Sequence, residues 1–123
     1  MKIHYSLLVS DLDGTLLTSD NRLTPRIKEQ IDRFERRGGK FTIATGRSLM
    51  ESRSFIEELN LRYPVILYNG AMLYFPKEEK TQLFKTLDRA IVERLFADII
   101  ELNAGFEFLL FSPLNIYAYH ITE

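Results

Sequence analysis

The sequence predicts an α/β fold, a parallel sheet flanked by helices, followed from about residue 82 by the start of a second, α+β unit. Three observations predict it. Apolar runs at residues 5–10, 40–44 and 64–68 each end in small polar residues, the pattern of buried parallel strands running out into loops. Two segments with apolar residues at helical spacing lie between them. After Gly70 the order changes to a hairpin, a helix and two further strands. With 123 residues the chain can bury roughly two thirds of its unfolded surface, enough for one core, or for one core and part of another.

Composition excludes several classes of protein. The 46% hydrophobic and 27% charged residues argue against disorder and against a fibrous repeat. Sixteen basic residues against seventeen acidic ones leave no electrostatic footprint for nucleic acid. Cysteine is absent, so disulfides, thiolate metal sites and cysteine nucleophiles are excluded together, in agreement with a reducing compartment. The apolar stretch from Met1 to Val9 is too short for a signal peptide or a membrane span. A cytoplasmic protein without membrane partners is the expectation.

Residues 5–10 read as a first strand, apolar on both faces and therefore expected in the interior of the sheet. A loop from Leu16 to Asn21 leads to Thr24-Pro25, where threonine can cap a helix and proline suits its first turn. Leu23, Ile27, Ile31 and Phe34 then form one apolar stripe on a helix of about three turns, which Gly38-Gly39 stops. Arg33, Arg36 and Arg37 near its end complement the helix dipole and stay solvated; the spacing does not make them a phosphate site. Lys40 to Ala44 is the second strand and gives way to Thr45-Gly46-Arg47-Ser48.

A second helix runs from about Ser48 to Leu59, with Leu49, Phe55, Ile56 and Leu59 apolar and its glutamates and arginines outward. Pro64 to Tyr68 is the third strand, ending at Asn69-Gly70. All three strands are thus expected to deliver polar residues at one end, where open α/β sheets bind ligands. Ala71 to Phe75 and Thr81 to Thr86 read as a hairpin around a charged turn. Asp88 caps an amphipathic helix carrying Ile91, Val92, Leu95, Phe96, Ile99 and Leu102, closed by Asn103-Ala104-Gly105. Residues 106–111 and 116–121 read as two antiparallel strands. The domains are expected at 1–81 and 82–123.

The chemistry concentrates in Asp11-Leu12-Asp13-Gly14-Thr15, at the end of the first strand. A desolvated carboxylate is costly unless something positive is bound beside it, so two acids here suggest a cation. One carboxylate can attack phosphorus while its neighbour transfers protons to and from the leaving oxygen and water. Such chemistry needs a hard cation, and Mg²⁺ suits a site with few carboxylates and several waters. Gly14 lets the backbone approach a ligand, and Thr15 can stabilise the turn. The plainer alternative is an Asx turn. A calcium loop of the EF-hand kind fails, because Thr15 and Leu16 stand where that loop needs an oxygen ligand and a glycine. Thr45-Gly46 adds a hydroxyl and a free N–H near a helix start, a seat for a phosphoryl oxygen. His4 and His120 lack partners at ligand spacing and read as structural.

Asp11 to Leu17, Ala44-Thr45-Gly46-Arg47 and Tyr68-Asn69-Gly70-Ala71 together resemble the first part of the haloacid dehalogenase-like hydrolases. Within them the run of motifs is most similar to the Cof-type sugar-phosphate phosphatases, which carry an α/β cap after the third core strand. The resemblance implies a three-layer α/β/α Rossmann-like core in residues 1–81 and the start of the cap in 82–123. It implies Asp11 as nucleophile and Mg²⁺ ligand, and Asp13 as general acid/base and as a second ligand through its carbonyl. It implies contacts to phosphate or substrate around Leu12, Gly14, Thr45, Gly46, Arg47 and Asn69. The substrate would be a small phosphorylated metabolite.

The chain departs from the family pattern in two motifs. Neither the lysine that offsets the nucleophile and phosphate nor the later Gly-Asp-x-x-Asn-Asp type segment is found. The chain also has about half the length of such a two-domain protein. A phosphomutase-type transfer and a catalytically silent interaction module are the alternatives to a phosphatase. In the family the first strand is central, so here Leu7-Leu8-Val9 is expected to form an exposed apolar edge that self-associates or is covered in a longer protein.

Overall fold

A computed structural model of the protein describes residues 5–102, 107–112 and 115–120, which fall into two units, Met1–Phe84 and Lys85–Glu123. In the first unit, strand β1 (Leu7–Ser10) pairs in parallel with β2 (Lys40–Ile43), with Leu7 opposite Lys40 and Ser10 opposite Ile43. Helix α1 (Pro25–Arg36) makes the crossover between them and packs on β2. Its start is chemically explicit. Thr24 is the N-cap, its hydroxyl accepting from the Ile27 N–H at 3.2 Å, and Pro25 follows in the first turn. Leu23 and Ile31 are buried and Ile27 and Phe34 packed against the core, while Arg33, Arg36 and Arg37 lie exposed.

Strand β2 is the core of this unit. Phe41, Thr42 and Ile43 are all buried, so both faces of the strand are covered. Thr42 is tolerated there because its hydroxyl donates to the Pro64 carbonyl at 2.7 Å. Helix α2 (Leu49–Glu58) follows, contributing Ile56, with Leu59 and Leu61 just after it. Burial of each such aliphatic side chain contributes about 1.5–3 kcal/mol.

Strand β3 (Val65–Leu67) runs parallel to β2, as expected, and has a second neighbour besides. It meets β2 through a single parallel bridge, Ala44 to Ile66, supported by the Thr45 N–H donating to the Ile66 carbonyl at 3.0 Å. Its longer ladder is made on the opposite edge with β4 (Met72–Phe75), antiparallel, and β4 pairs in turn with β5 (Lys80–Leu83). The reason is proximity: β4 begins five residues after β3 ends, and a tight antiparallel return is the least costly partner to reach. The charged turn lies at residues 76–79, and β5 runs across the position where the sequence places the domain boundary, Leu83 pairing with Met72.

Strand β1 forms the exposed apolar edge expected for this chain, not the buried interior strand its apolar run suggests. Its residues are not interior: Leu7, Leu8 and Val9 are 51, 48 and 42% exposed. Among the described residues β1 has one neighbour, β2, which leaves its other edge open. Beside that edge lies an apolar groove of about 380 Å³ lined by residues that include Leu8, Val9, Ile27, Phe34 and Phe41.

In the second unit, helix α3 (Arg89–Leu102) starts at Asp88, whose carboxylate accepts from the Ala90 N–H at 2.8 Å. Strands β6 (Glu107–Phe111) and β7 (Ile116–His120) form an antiparallel hairpin, with the Ser112 N–H donating to the Asn115 carbonyl at 2.8 Å. Phe96 meets Tyr119 edge to face at 4.9 Å between ring centres. Val92, Phe96 and Ile99 are half-buried, whereas Ile91, Leu95 and Leu102 are exposed. The expected helix stop at 103–105, the strand ends at 106 and 121, and His4 lie outside the described residues, as does the His120 side chain.

Candidate active site

Three loops carry the residues singled out in the sequence, and hydrogen bonds stitch them together. Asp11 to Gly14 follow β1, Thr45 to Arg47 follow β2, and Tyr68 to Gly70 follow β3. The Asn69 N–H donates to the Thr45 carbonyl and the Tyr68 N–H to the Arg47 carbonyl, both at 3.2 Å. Arg47 then reaches back to the first loop, where its Nε and a terminal nitrogen donate to the two carboxylate oxygens of Asp13 at 2.9 and 2.5 Å. Asp13, Thr45, Arg47 and Asn69 are thereby linked through one network.

The first loop is built by main-chain geometry. After the extended residues Asp11 and Asp13, Gly14 takes φ +70°, a left-handed conformation that glycine adopts without cost, and the Leu17 N–H closes the turn on the Leu12 carbonyl at 3.0 Å. The closure is made by backbone, and Thr15 is exposed. Asp11 is exposed as well, and its carboxylate accepts from the Leu12 N–H at 2.7 Å. That contact reaches only the next residue, whereas an Asx turn would accept from the N–H two residues on. It uses one oxygen. Leu12 itself is fully buried, so only its main chain belongs to the loop's surface.

Thr45 is buried, and its hydroxyl accepts from the Arg47 N–H at 3.2 Å. Gly46 allows a close approach: a Cβ there would lie 2.9 Å from the Asn69 side-chain oxygen, which would have to shift. Asn69 stands at φ +53°, a conformation in which asparagine is among the least strained residues. Its side chain thus lies across the β2 loop.

Electrostatics follow from the Arg47 contact. Hydrogen bonds from Arg47 hold the Asp13 carboxyl below the usual carboxylate range, against a smaller opposing effect of burial. The same bonds raise the Arg47 guanidinium. Arg47 also lies over the Phe55 ring, 5.1 Å from its centre. Glu51 forms a capping box with Ser48, accepting from the Ser48 N–H and hydroxyl at 2.8 and 2.5 Å, and these bonds lower its carboxyl. Glu51 lies exposed, as expected, and the capping box is the feature not read from the sequence. Serine followed three positions later by glutamate is the signal that finds it.

A metal ion has few donors to choose from. Among the described residues no group of three or more His, Asp or Glu side chains gathers in one place. The Asp13 carboxylate is held by Arg47, which leaves the Asp11 carboxylate and main-chain carbonyls as hard oxygen donors at the strand mouth. That set suits an ion such as Mg²⁺, which takes one or two carboxylates and keeps several waters.

Comparison with known proteins agrees with this architecture. Residues 8–123 match the model of the haloacid dehalogenase-like hydrolases, and the chain belongs to that family. The 5-amino-6-(5-phospho-D-ribitylamino)uracil phosphatase of Bacillus subtilis is 30% identical over 95 residues, covering 77% of this chain and 35% of the relative. The HMP-PP phosphatase of Cronobacter sakazakii is 35% identical over 69 residues, covering 56% of this chain and 25% of the relative. The structure of a haloacid dehalogenase-like hydrolase from B. subtilis superposes with a TM-score of 0.75 at 26% identity, over 91% of this chain and 38% of that one. The chain spans less than half the length of these relatives.

Proposed function

We propose that the chain forms the nucleophile-bearing part of a Mg²⁺-dependent phosphatase of small phosphorylated metabolites. The single observation that carries this reading is the linkage of the Asp13 loop to the Thr45-Gly46-Arg47 loop through the Arg47 ion pair, beside the exposed carboxylate of Asp11. Two relatives are phosphatases by name, one of them acting on a phosphorylated ribityl compound, which supports the substrate class.

In this reading the free carboxylate oxygen of Asp11 forms a bond to phosphorus as the ester P–O bond breaks, leaving an aspartyl phosphate. Asp13 supplies the proton to the departing oxygen and later takes one from the water that hydrolyses the aspartyl phosphate. Arg47 keeps Asp13 ionised, the form suited to that second role; proton donation requires the pair to open. Thr45 and Gly46 offer the phosphoryl oxygens a hydroxyl and an N–H, Leu12 and Gly14 contribute main chain, and Asn69 borders the site. Mg²⁺, held by the Asp11 carboxylate and the Asp13 carbonyl, would offset the repulsion between carboxylate and phosphate. The open β1 edge is, on the same reading, a surface that pairs with further polypeptide.

The test is phosphate release from p-nitrophenyl phosphate with and without Mg²⁺, in this chain and in a protein carrying the complete fold. Release that depends on Mg²⁺ and disappears in Asp11→Asn is the expected result. Full activity in Asp11→Asn sinks the nucleophile assignment, and no release from either protein favours the silent interaction module.

A further inference from the structure

Glu51 and Phe55, four positions apart, share one face of α2, and Arg47 immediately precedes the Ser48 cap of that helix. The Phe55 ring lies under the guanidinium at 5.1 Å from Arg47 Cζ. Glu51, one turn before Phe55, is fixed by Ser48 as part of the capping box. The Arg47 side chain is only 23% exposed, against 50% for Asp13. The arginine is therefore seated on α2, and the aspartate, which lies 34 positions away in the chain, is gripped by the seated arginine.

Building on the phosphatase reading, we infer that Phe55 is a positioning residue which acts through Arg47 to fix the Asp13 carboxylate at the strand mouth. Its effect passes through the guanidinium, which holds both carboxylate oxygens. A planar guanidinium stacks on an aromatic face and still presents its fork of donors, which an ammonium cannot do. An aromatic ring at position 55 is thus the feature that matters, beyond the apolar volume it adds to the core.

Phe55→Leu keeps that volume and removes the ring, and Phe55→Tyr keeps both. In the chain itself, NMR of the Arg47 Nε–H, assigned by its loss in Arg47→Lys, should show a ring-shifted, slowly exchanging signal. Phe55→Leu should abolish the shift and move the Asp13 carboxyl carbon, and Phe55→Tyr should restore both, with backbone amide spectra otherwise unchanged. An Arg47 signal and an Asp13 carbon that do not respond to Phe55→Leu overturn the inference. If the NMR signals respond while the wild-type protein releases no phosphate, the seat stands and the phosphatase reading fails.

Discussion

Arg47 holds both carboxylate oxygens of Asp13, at 2.9 and 2.5 Å, and so ties the loop after β1 to the loop after β2. Asp13 has its pKa lowered in the fold, so the pair contributes stability above the unfolded carboxylate value. That contribution is lost as pH falls through the lower folded value. The pair is half exposed on the Asp13 side, and after allowance for solvent screening its worth is about 0.5 kcal/mol. Arg47→Ala should therefore lower the melting temperature by a few degrees at pH 7, and the difference from wild type should shrink as the pH falls below about 4. A difference that does not depend on pH shows that Arg47 acts by packing alone.

Two serines one turn apart on α2 should respond in opposite directions. Ser48 caps the helix and accepts from the Glu51 N–H at 3.2 Å, so Ser48→Ala should destabilise the chain by about 1 kcal/mol. Ser52 is fully buried, and its hydroxyl has no hydrogen-bond partner. Ser52→Ala removes that unsatisfied group and places a better helix former, so it should stabilise by roughly 1 kcal/mol. Urea unfolding of both variants decides the matter, and a destabilised Ser52→Ala shows that the hydroxyl is satisfied in solution.

The open edge of β1 predicts association. Leu7, Leu8 and Val9 carry no charge, proline or bulge that would protect it. Size-exclusion chromatography with light scattering should find the isolated chain larger than a monomer, and Leu8→Lys should reduce that association. A stable, soluble monomer of the wild-type chain contradicts the prediction.

Local chemistry made much of the fold legible. The α1 start is readable in Thr24-Pro25, and its buried face in Leu23, Ile27, Ile31 and Phe34, because capping and helical spacing act within a few residues. The hairpin around residues 76–79 and the Asp88 cap are local in the same sense. The Asp11 to Thr15 loop announced itself because two acids at a strand end have no stabilising role of their own.

The sequence by itself thus determined the helices, the strands and the place of the acids, all of which depend on neighbours along the chain. Only the tertiary structure decided that Arg47 binds Asp13, that Gly46 yields space to Asn69 and that β3 pairs with β4. These depend on which groups meet across the fold, and no spacing along the chain encodes that meeting.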